Sequence, residues 1–300
     1  MSIRPYLFAL FCAPLAPALA AAAQQEAPYT LSDTAVHHIH AKQLGRDYQV
    51  FVSVPPGYAS TGPALPVVFV TDANYAFPLV RAIAARVGRH GKTIAPFILV
   101  GLSYADGETP EYSRRRDYTP SSNPSADLVS DMPGRAPVFG EAEAYRRFIA
   151  SEVFPLIAAG YRADMRRTVF VGHSYGGLLG AHILMNAPDM FSKYVISSPS
   201  LWYDRRVIFE REKRYAAAHS DMPAEVFFAI GGLETVKASD ARAHPEDDMV
   251  RDIQAFQRLL TSRHYPGLRT QLHVFAGHDH LDVFPDMITA ALKWATPGNQ

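Results

Sequence analysis

Two hydrophobic rhythms run through the chain. Ala35–Lys42 and Asp47–Val54 are β-type runs joined through Gly45, and Pro55-Pro56-Gly57-Tyr58 ends the second. That pattern predicts an antiparallel hairpin. Pro66–Thr71, Ile94–Leu102 and Thr168–Val171 are instead short, continuous apolar runs, the signature of strands buried on both faces. Tyr194–Ser197, Glu225–Ile230 and Thr270–Phe275 read as further strands. Helical periodicity falls between them, at Phe77–Val87, Tyr145–Ala159, Gly176–Met185, Met249–Thr261 and Val283–Trp294. Strand and helix alternate, which predicts an α/β protein with a mostly parallel central sheet, helices on both faces and the hairpin at its start.

Tyr104 to about Gly140 breaks the rhythm. It is rich in Pro, Ser, Asp and Arg and shows no clear period. A long loop inside a compact domain carries function more often than it carries nothing. It follows the Ile94–Leu102 strand, on the side where open α/β sheets bind ligands. We therefore read 104–140 as a substrate-side loop within one domain spanning 24–300.

Residues 1–23 follow a different logic. Arg4 gives a positive start, Tyr6 to Leu19 an apolar stretch, and Ala18-Leu19-Ala20 a small-x-small cleavage site. This is the layout of a secretory signal peptide cut after residues 20 to 23, and it predicts a periplasmic or secreted protein. Pro5, Pro14 and Pro17 argue against a long membrane helix, and bulky Phe11 before Cys12 argues against a lipoprotein box. The one cysteine would leave with the signal, so no disulfide or thiolate metal site is expected.

Charge narrows the classes further. The 300 residues hold 29 Lys+Arg against 29 Asp+Glu, and 48% are hydrophobic. A balanced chain lacks the basic footprint of a dedicated nucleic-acid binder, and its apolar content suits a folded core. No nucleic-acid partner, membrane insertion after signal removal, or cofactor is expected, and the oligomeric state is left open.

Candidate chemistry enters at Gly172-His173-Ser174-Tyr175-Gly176-Gly177, a Gly-x-Ser-x-Gly between a β run and a helical run. A serine on a tight strand-to-helix turn needs neighbours without side chains two residues either side. The turn lifts the Ser174 hydroxyl above the sheet, and the helix start points backbone N–H groups at a developing oxyanion. A serine needs a base, and on this fold the order is Ser, acid, His. Gly277-His278-Asp279-His280 lies past the last β run, and spacing alone leaves His278 and His280 both open. The pair could also suggest a metal, but no other ligand cluster lies near in sequence. The acid is expected after the preceding strand, at Glu234 in Gly231-Gly232-Leu233-Glu234, with Asp240, Asp247, Asp248 and Asp279 as rivals.

Together these residues resemble the putative-esterase family of α/β-hydrolases, which includes trilactone siderophore esterases acting on enterobactin and salmochelins. The likeness runs from Thr71-Asp72-Ala73-Asn74-Tyr75 through Arg114-Arg115-Arg116-Asp117-Tyr118-Thr119-Pro120, Gly140-Glu141-Ala142-Glu143 and the Ser174 motif. Ser197-Ser198-Pro199-Ser200-Leu201-Trp202 is its most distinctive part. The family's Gly-x-x-His before the final helix falls on His280, so the resemblance selects His280 as base. It also implies an oxyanion hole from the backbone N–H groups of Tyr175 and Ala73, where Ala73 replaces the family's usual glycine. Some relatives look like Ser–His dyads with a displaced acid, whereas here Glu234 is expected as the third member.

The implied substrate is a catecholate siderophore trilactone whose ferric complex is a trianion. Arg114, Arg115 and Arg116 could recognise that charge, or Arg116 and Asp117 could form a structural ion pair. Trp202 could pack on catechol rings or belong to the core. A general or feruloyl-type carboxylesterase, an acyltransferase on the same elbow, and a non-catalytic periplasmic binder are the alternatives.

Overall fold

The computed structural model describes residues 29–59, 61–122, 130–236 and 248–299; the expected signal segment 1–23 and the rival acids Asp240 and Asp247 lie outside them. Eight strands form one sheet in the order β1-β2-β4-β3-β5-β6-β7-β8. β1 (Thr34–Ala41) and β2 (Arg46–Ser53) make the expected antiparallel hairpin, and β2 runs antiparallel to β4 (Ile98–Ala105). The rest is parallel: β3 (Leu65–Val70), β5 (Ala163–His173), β6 (Lys193–Ser197), β7 (Ala224–Gly231) and β8 (Leu268–Phe275). This is the α/β-hydrolase order.

The continuous apolar runs have a simple cause. Side chains alternate across a strand, and the sheet has a core on each face. Val67, Phe69, Phe170, Ile196 and Phe228 enter one core. Their neighbours Val68, Val70, Val171, Val195 and Phe227 enter the other, together with α1 (Ala73–Val87) and α8 (Val283–Ala295). With both faces covered, these runs are apolar along their middle, and the buried polar residues Thr168 on β5 and Ser197 on β6 stand at their ends. β5 is flanked by β3 and β6, so the chain leaves the middle of the sheet on both sides. The carboxyl ends of such strands form a crevice.

Three sequence expectations need correction. First, 104–140 is not one loop: Tyr104 and Ala105 end β4, and Pro110–Tyr118 is a helix, α2. Thr109 caps it by accepting the Tyr112 N–H at 3.3 Å, with Pro110 in its first turn. Its buried face includes Ser113, Arg116 and Asp117, so a search for apolar periodicity passes over it. Second, the Tyr145–Ala159 helix begins earlier and is interrupted. α3 (Ala142–Phe148) widens into a π-helical segment, Ile149–Val153, before α4 (Phe154–Gly160). Pro155 has no N–H for an α-helical ladder, and a wider turn accommodates it. Third, a helix without apolar signal in the sequence follows Trp202, kinked near its start where Asp204, Arg205 and Arg206 take left-handed dihedrals. α6 (Tyr203–Ala218) buries Glu212, which pairs with Arg263 at 2.8 Å. The remaining helices, α5 (Tyr175–Leu184) and α7 (Met249–Ser262), fall where periodicity predicts them.

Candidate active site

β5 stops at His173 and α5 starts at Tyr175, leaving Ser174 alone in the turn at φ 60°, ψ −119°. A non-glycine residue there is strained, and strain of this kind clusters at functional sites. Two contacts hold it: the Ser174 N–H donates to the Ser197 carbonyl at 3.0 Å, and the Leu178 N–H donates to the Ser174 carbonyl at 2.9 Å. The motif's glycines are dictated by space. A Cβ on Gly172 would sit 2.1 Å from the Gly176 carbonyl oxygen, and one on Gly176 would sit 2.3 Å from Thr71 Oγ1.

That second contact brings the end of β3 against the start of α5. Asp72 follows in the left-handed region at φ 55° and caps α1, so Ala73 occupies the first helical position. The opening amides of a helix have no intrahelical acceptor. The Asp72 N–H is already directed at the Tyr118 hydroxyl, 3.4 Å away. Ala73 and Tyr175 are therefore first-turn donors of two helices that meet at Thr71 and Gly176. The Ala73 methyl does not obstruct this junction. It is buried against β4, where a Cβ built on Gly101 would lie 2.8 Å from it.

Across the crevice, His280 Nδ1 lies 2.6 Å from Glu234 Oε2. The Glu234 side chain is 3% exposed, against 35% for His280. Its second oxygen accepts from Ser198 Oγ at 2.6 Å and from the Gly231 N–H at 2.8 Å. Both carboxylate oxygens are thus engaged, and the acid is fixed before it meets the imidazole. His278, left open by spacing, instead lies 3.2 Å from Asp282 and 3.0 Å from Asp286 at the start of α8. The His280 ring rests on the His173 ring, centroids 4.7 Å apart, which brings it beside the residue preceding Ser174. Asp248 caps α7 by accepting the Arg251 N–H, and Asp279 accepts the N–H groups of Leu281 and Asp282. Neither rival carboxylate orients His280 through a hydrogen bond.

The three consecutive arginines separate. Arg114 Nε lies 3.1 Å from Asp72 Oδ1, and Nη2 donates to Oδ2 at 3.2 Å. Its guanidinium lies 5.6 Å from the Tyr175 ring centroid. Burial opposes its charge, but Asp72 and the tyrosines around it outweigh that and hold the guanidinium above its usual pKa. Arg115 is 22% exposed, with Asp131 at 3.9 Å. Arg116 is 3% exposed, 2.6 Å from Glu108 and 2.9 Å from Asp117. Its expected place in substrate binding is therefore corrected: its charge is neutralised inside the fold. Trp202 is partly buried, its ring 6.2 Å from Tyr175 and 6.4 Å from Tyr203.

Sequence reasoning passed over four contributors: Ser198 and Gly231 on Glu234, His173 against His280, and Tyr104, whose hydroxyl donates to Asp72 Oδ1 at 2.8 Å. His173 and Ser198 stand inside motifs already singled out, so adjacency to a candidate residue was their available signal. No group of three or more His, Cys, Asp or Glu suited to a metal occurs among the described residues.

This fold and site define a serine-hydrolase-type esterase of the α/β-hydrolase class. Residues 41–295 match the family described as putative esterase, and the chain belongs to that family. Among its relatives is the ferri-bacillibactin esterase BesA of Bacillus subtilis (strain 168), 29% identical over 275 residues, with 89% of this chain and 91% of the relative covered. Another is the siderophore enterobactin esterase of Emericella nidulans, 28% identical, with 77% of each chain covered. In fold, the chain is similar to the BES protein from Bacillus cereus (TM-score 0.75, 24% identity), across 91% of this chain and 99% of that one. The siderophore hydrolase EstB from Aspergillus nidulans gives a TM-score of 0.74 at 22% identity, covering 92% and 100%.

Proposed function

We propose that this esterase is exported and hydrolyses the ester bonds of a catecholate siderophore trilactone, releasing iron when the siderophore arrives as its ferric complex. Iron is cargo in this reaction, and the protein needs no resident cofactor. Ser174 Oγ attacks a lactone carbonyl while His280 Nε2 takes its proton. Glu234 holds Nδ1–H of His280 and stabilises the imidazolium that forms. The N–H groups of Ala73 and Tyr175 receive the charge developing on the carbonyl oxygen, where preorganised donors act most strongly. His280 returns the proton to the departing alcohol, and the Ser174 ester remains. Water, deprotonated by His280, then releases the acid and frees the serine.

The observation that carries the chemistry is the 2.6 Å contact between His280 Nδ1 and a Glu234 whose other oxygen is already taken. A buried carboxylate fixed in this way has the geometry of a triad acid, which favours a triad over a Ser–His dyad. The substrate class is supported by the names of the relatives and by Arg114 and Arg115, which each face an acid yet keep 21% and 22% of their side chains exposed near Tyr175. Trp202, beside Tyr175, offers an aromatic face to a catechol.

Product analysis by mass spectrometry on apo and ferric enterobactin, beside p-nitrophenyl esters, tests the substrate. The wild type is expected to linearise the trilactone, and Ser174→Ala to abolish this. Rapid cleavage of p-nitrophenyl esters with both forms of enterobactin intact would overturn the siderophore reading.

A further inference from the structure

The elbow's second residue is commonly free to vary, because only the flanking glycines and the serine are fixed by the turn. Here it is His173, 6% exposed and bonded through both ring nitrogens. Nε2 lies 2.8 Å from the backbone carbonyl oxygen of His280. A carbonyl only accepts, so Nε2 must carry the proton. Nδ1 then holds the lone pair of the neutral ring and accepts from the Ser197 hydroxyl at 3.1 Å. The ring also lies on the His280 ring, tilted 37° at 4.7 Å, and meets Phe284 of α8 edge-on at 5.7 Å.

We propose that His173 is a positioning residue for the reaction: through Nε2–H and its ring face it anchors the loop that carries His280, so that the imidazole stays where Ser174 can use it. The inference rests on the Ser174–His280 assignment above. Glu234 and His173 then divide the task. Glu234 fixes the rotation of the His280 ring through Nδ1, while His173 fixes the backbone from which that ring hangs. The arrangement ties the base to the residue adjoining the serine, so movement of the elbow and movement of the loop are coupled. Burial keeps His173 neutral, lowering its pKa to about 3, and the neighbouring Arg114 guanidinium further disfavours its protonation. Neutrality matters because a second positive ring at this distance would oppose the imidazolium that the reaction forms on His280.

The imidazole offers its own controls. A glutamine amide reaches roughly the place of Nε2 and can donate to the His280 carbonyl. An asparagine amide reaches roughly the place of Nδ1 and can meet Ser197 but not that carbonyl. Both variants are polar and smaller than the ring, so a purely structural role would affect them alike.

The test is steady-state hydrolysis of p-nitrophenyl acetate by wild type, His173→Gln, His173→Asn and Ser174→Ala, with thermal midpoints for each. The expectation is that His173→Asn loses at least about 10-fold in kcat with KM changed less than about two-fold, as misplacement of a catalytic group does. His173→Gln should keep about a third of wild-type kcat or more, at a thermal midpoint close to that of the Asn variant. Equal kcat in the two variants, or losses that track the thermal midpoints, would overturn the proposal. Ser174→Ala separates the two levels of inference: if it retains activity, the Ser174 assignment itself fails, whatever the His173 variants do.

Discussion

At the scale of single residues, the site depends on side chains held before substrate arrives. Glu234 accepts two hydrogen bonds on one oxygen and offers the other to His280. His173 shows the same economy with the opposite charge logic. Its pKa is lowered by burial to about 3 from an ordinary 6.5, so between those values the unfolded chain binds a proton that the folded chain refuses. Its contribution to stability is complete above pH 6.5 and is lost as pH falls toward 3. Chemical denaturation at pH 7 and pH 5 measures this. The stability gap between wild type and His173→Gln should shift by about 2 kcal/mol between the two pH values, in the direction that favours the variant at pH 5. A gap independent of pH would mean that His173 is not held neutral.

At the scale of elements, the consequential junction is where β3, α1 and α5 meet. Thr71 and Gly176 touch there, and both proposed oxyanion donors open a helix beside them. Gly176→Ala would place a methyl 2.3 Å from Thr71 Oγ1. Overpacking of this kind costs about 1–3 kcal/mol in stability. The larger effect should fall on kcat, by about 100-fold, because the Tyr175 donor is displaced from its aim. Activity and denaturation curves on one preparation check both, and unchanged kcat would contradict the assigned hole. α2 supplies a second contrast. Arg116→Met leaves Glu108 and Asp117 as buried acids without their nearest cation, and should cost about 3–5 kcal/mol with KM unaffected in the molecules that still fold. Arg115→Ala should leave stability nearly unchanged and raise KM for a ferric siderophore but not for a neutral p-nitrophenyl ester. Equal KM effects on both substrates would remove Arg115 from substrate recognition.

α2 also shows what the sequence could and could not disclose. Strands buried on both faces write themselves as unbroken apolar runs, so β3, β4 and β5 were legible, and with them the centre of the sheet. The elbow was legible because steric exclusion fixes its glycines. α2 and α6 were not, because their buried faces include Arg116, Asp117 and Glu212, which pair with Glu108 just before α2, Arg46 of β2 and Arg263 just after α7. Apolar periodicity registers burial driven by hydrophobicity; it is blind to burial secured by ion pairing. The same blindness left Arg116 open in the sequence between a substrate contact and an ion pair with Asp117, and its burial between Glu108 and Asp117 decides for the pair. Glu234 was the expected acid from its place after a strand, but the hydrogen bonds from Ser198 and Gly231 that fix it are made by residues whose closeness the sequence does not show.

At the scale of the whole molecule, the strand order makes these local features one site. β3, β5 and β7 end on the same edge of the sheet, so Asp72–Ala73, Ser174–Tyr175 and Glu234 emerge together, and the turn before α8 brings His280 across to them. Charge balance over the full chain does not conflict with an anionic substrate, because Arg114 and Arg115, although each faces an acid, stay partly exposed near Tyr175. The central claim is that Ser174 is the nucleophile this architecture serves. Peptide mapping by mass spectrometry after reaction with a fluorophosphonate tests it most directly. One adduct per chain, on the peptide carrying Ser174, with esterase activity lost in proportion to labelling, is the predicted result. An adduct on another residue, or no adduct in an active preparation, would contradict it.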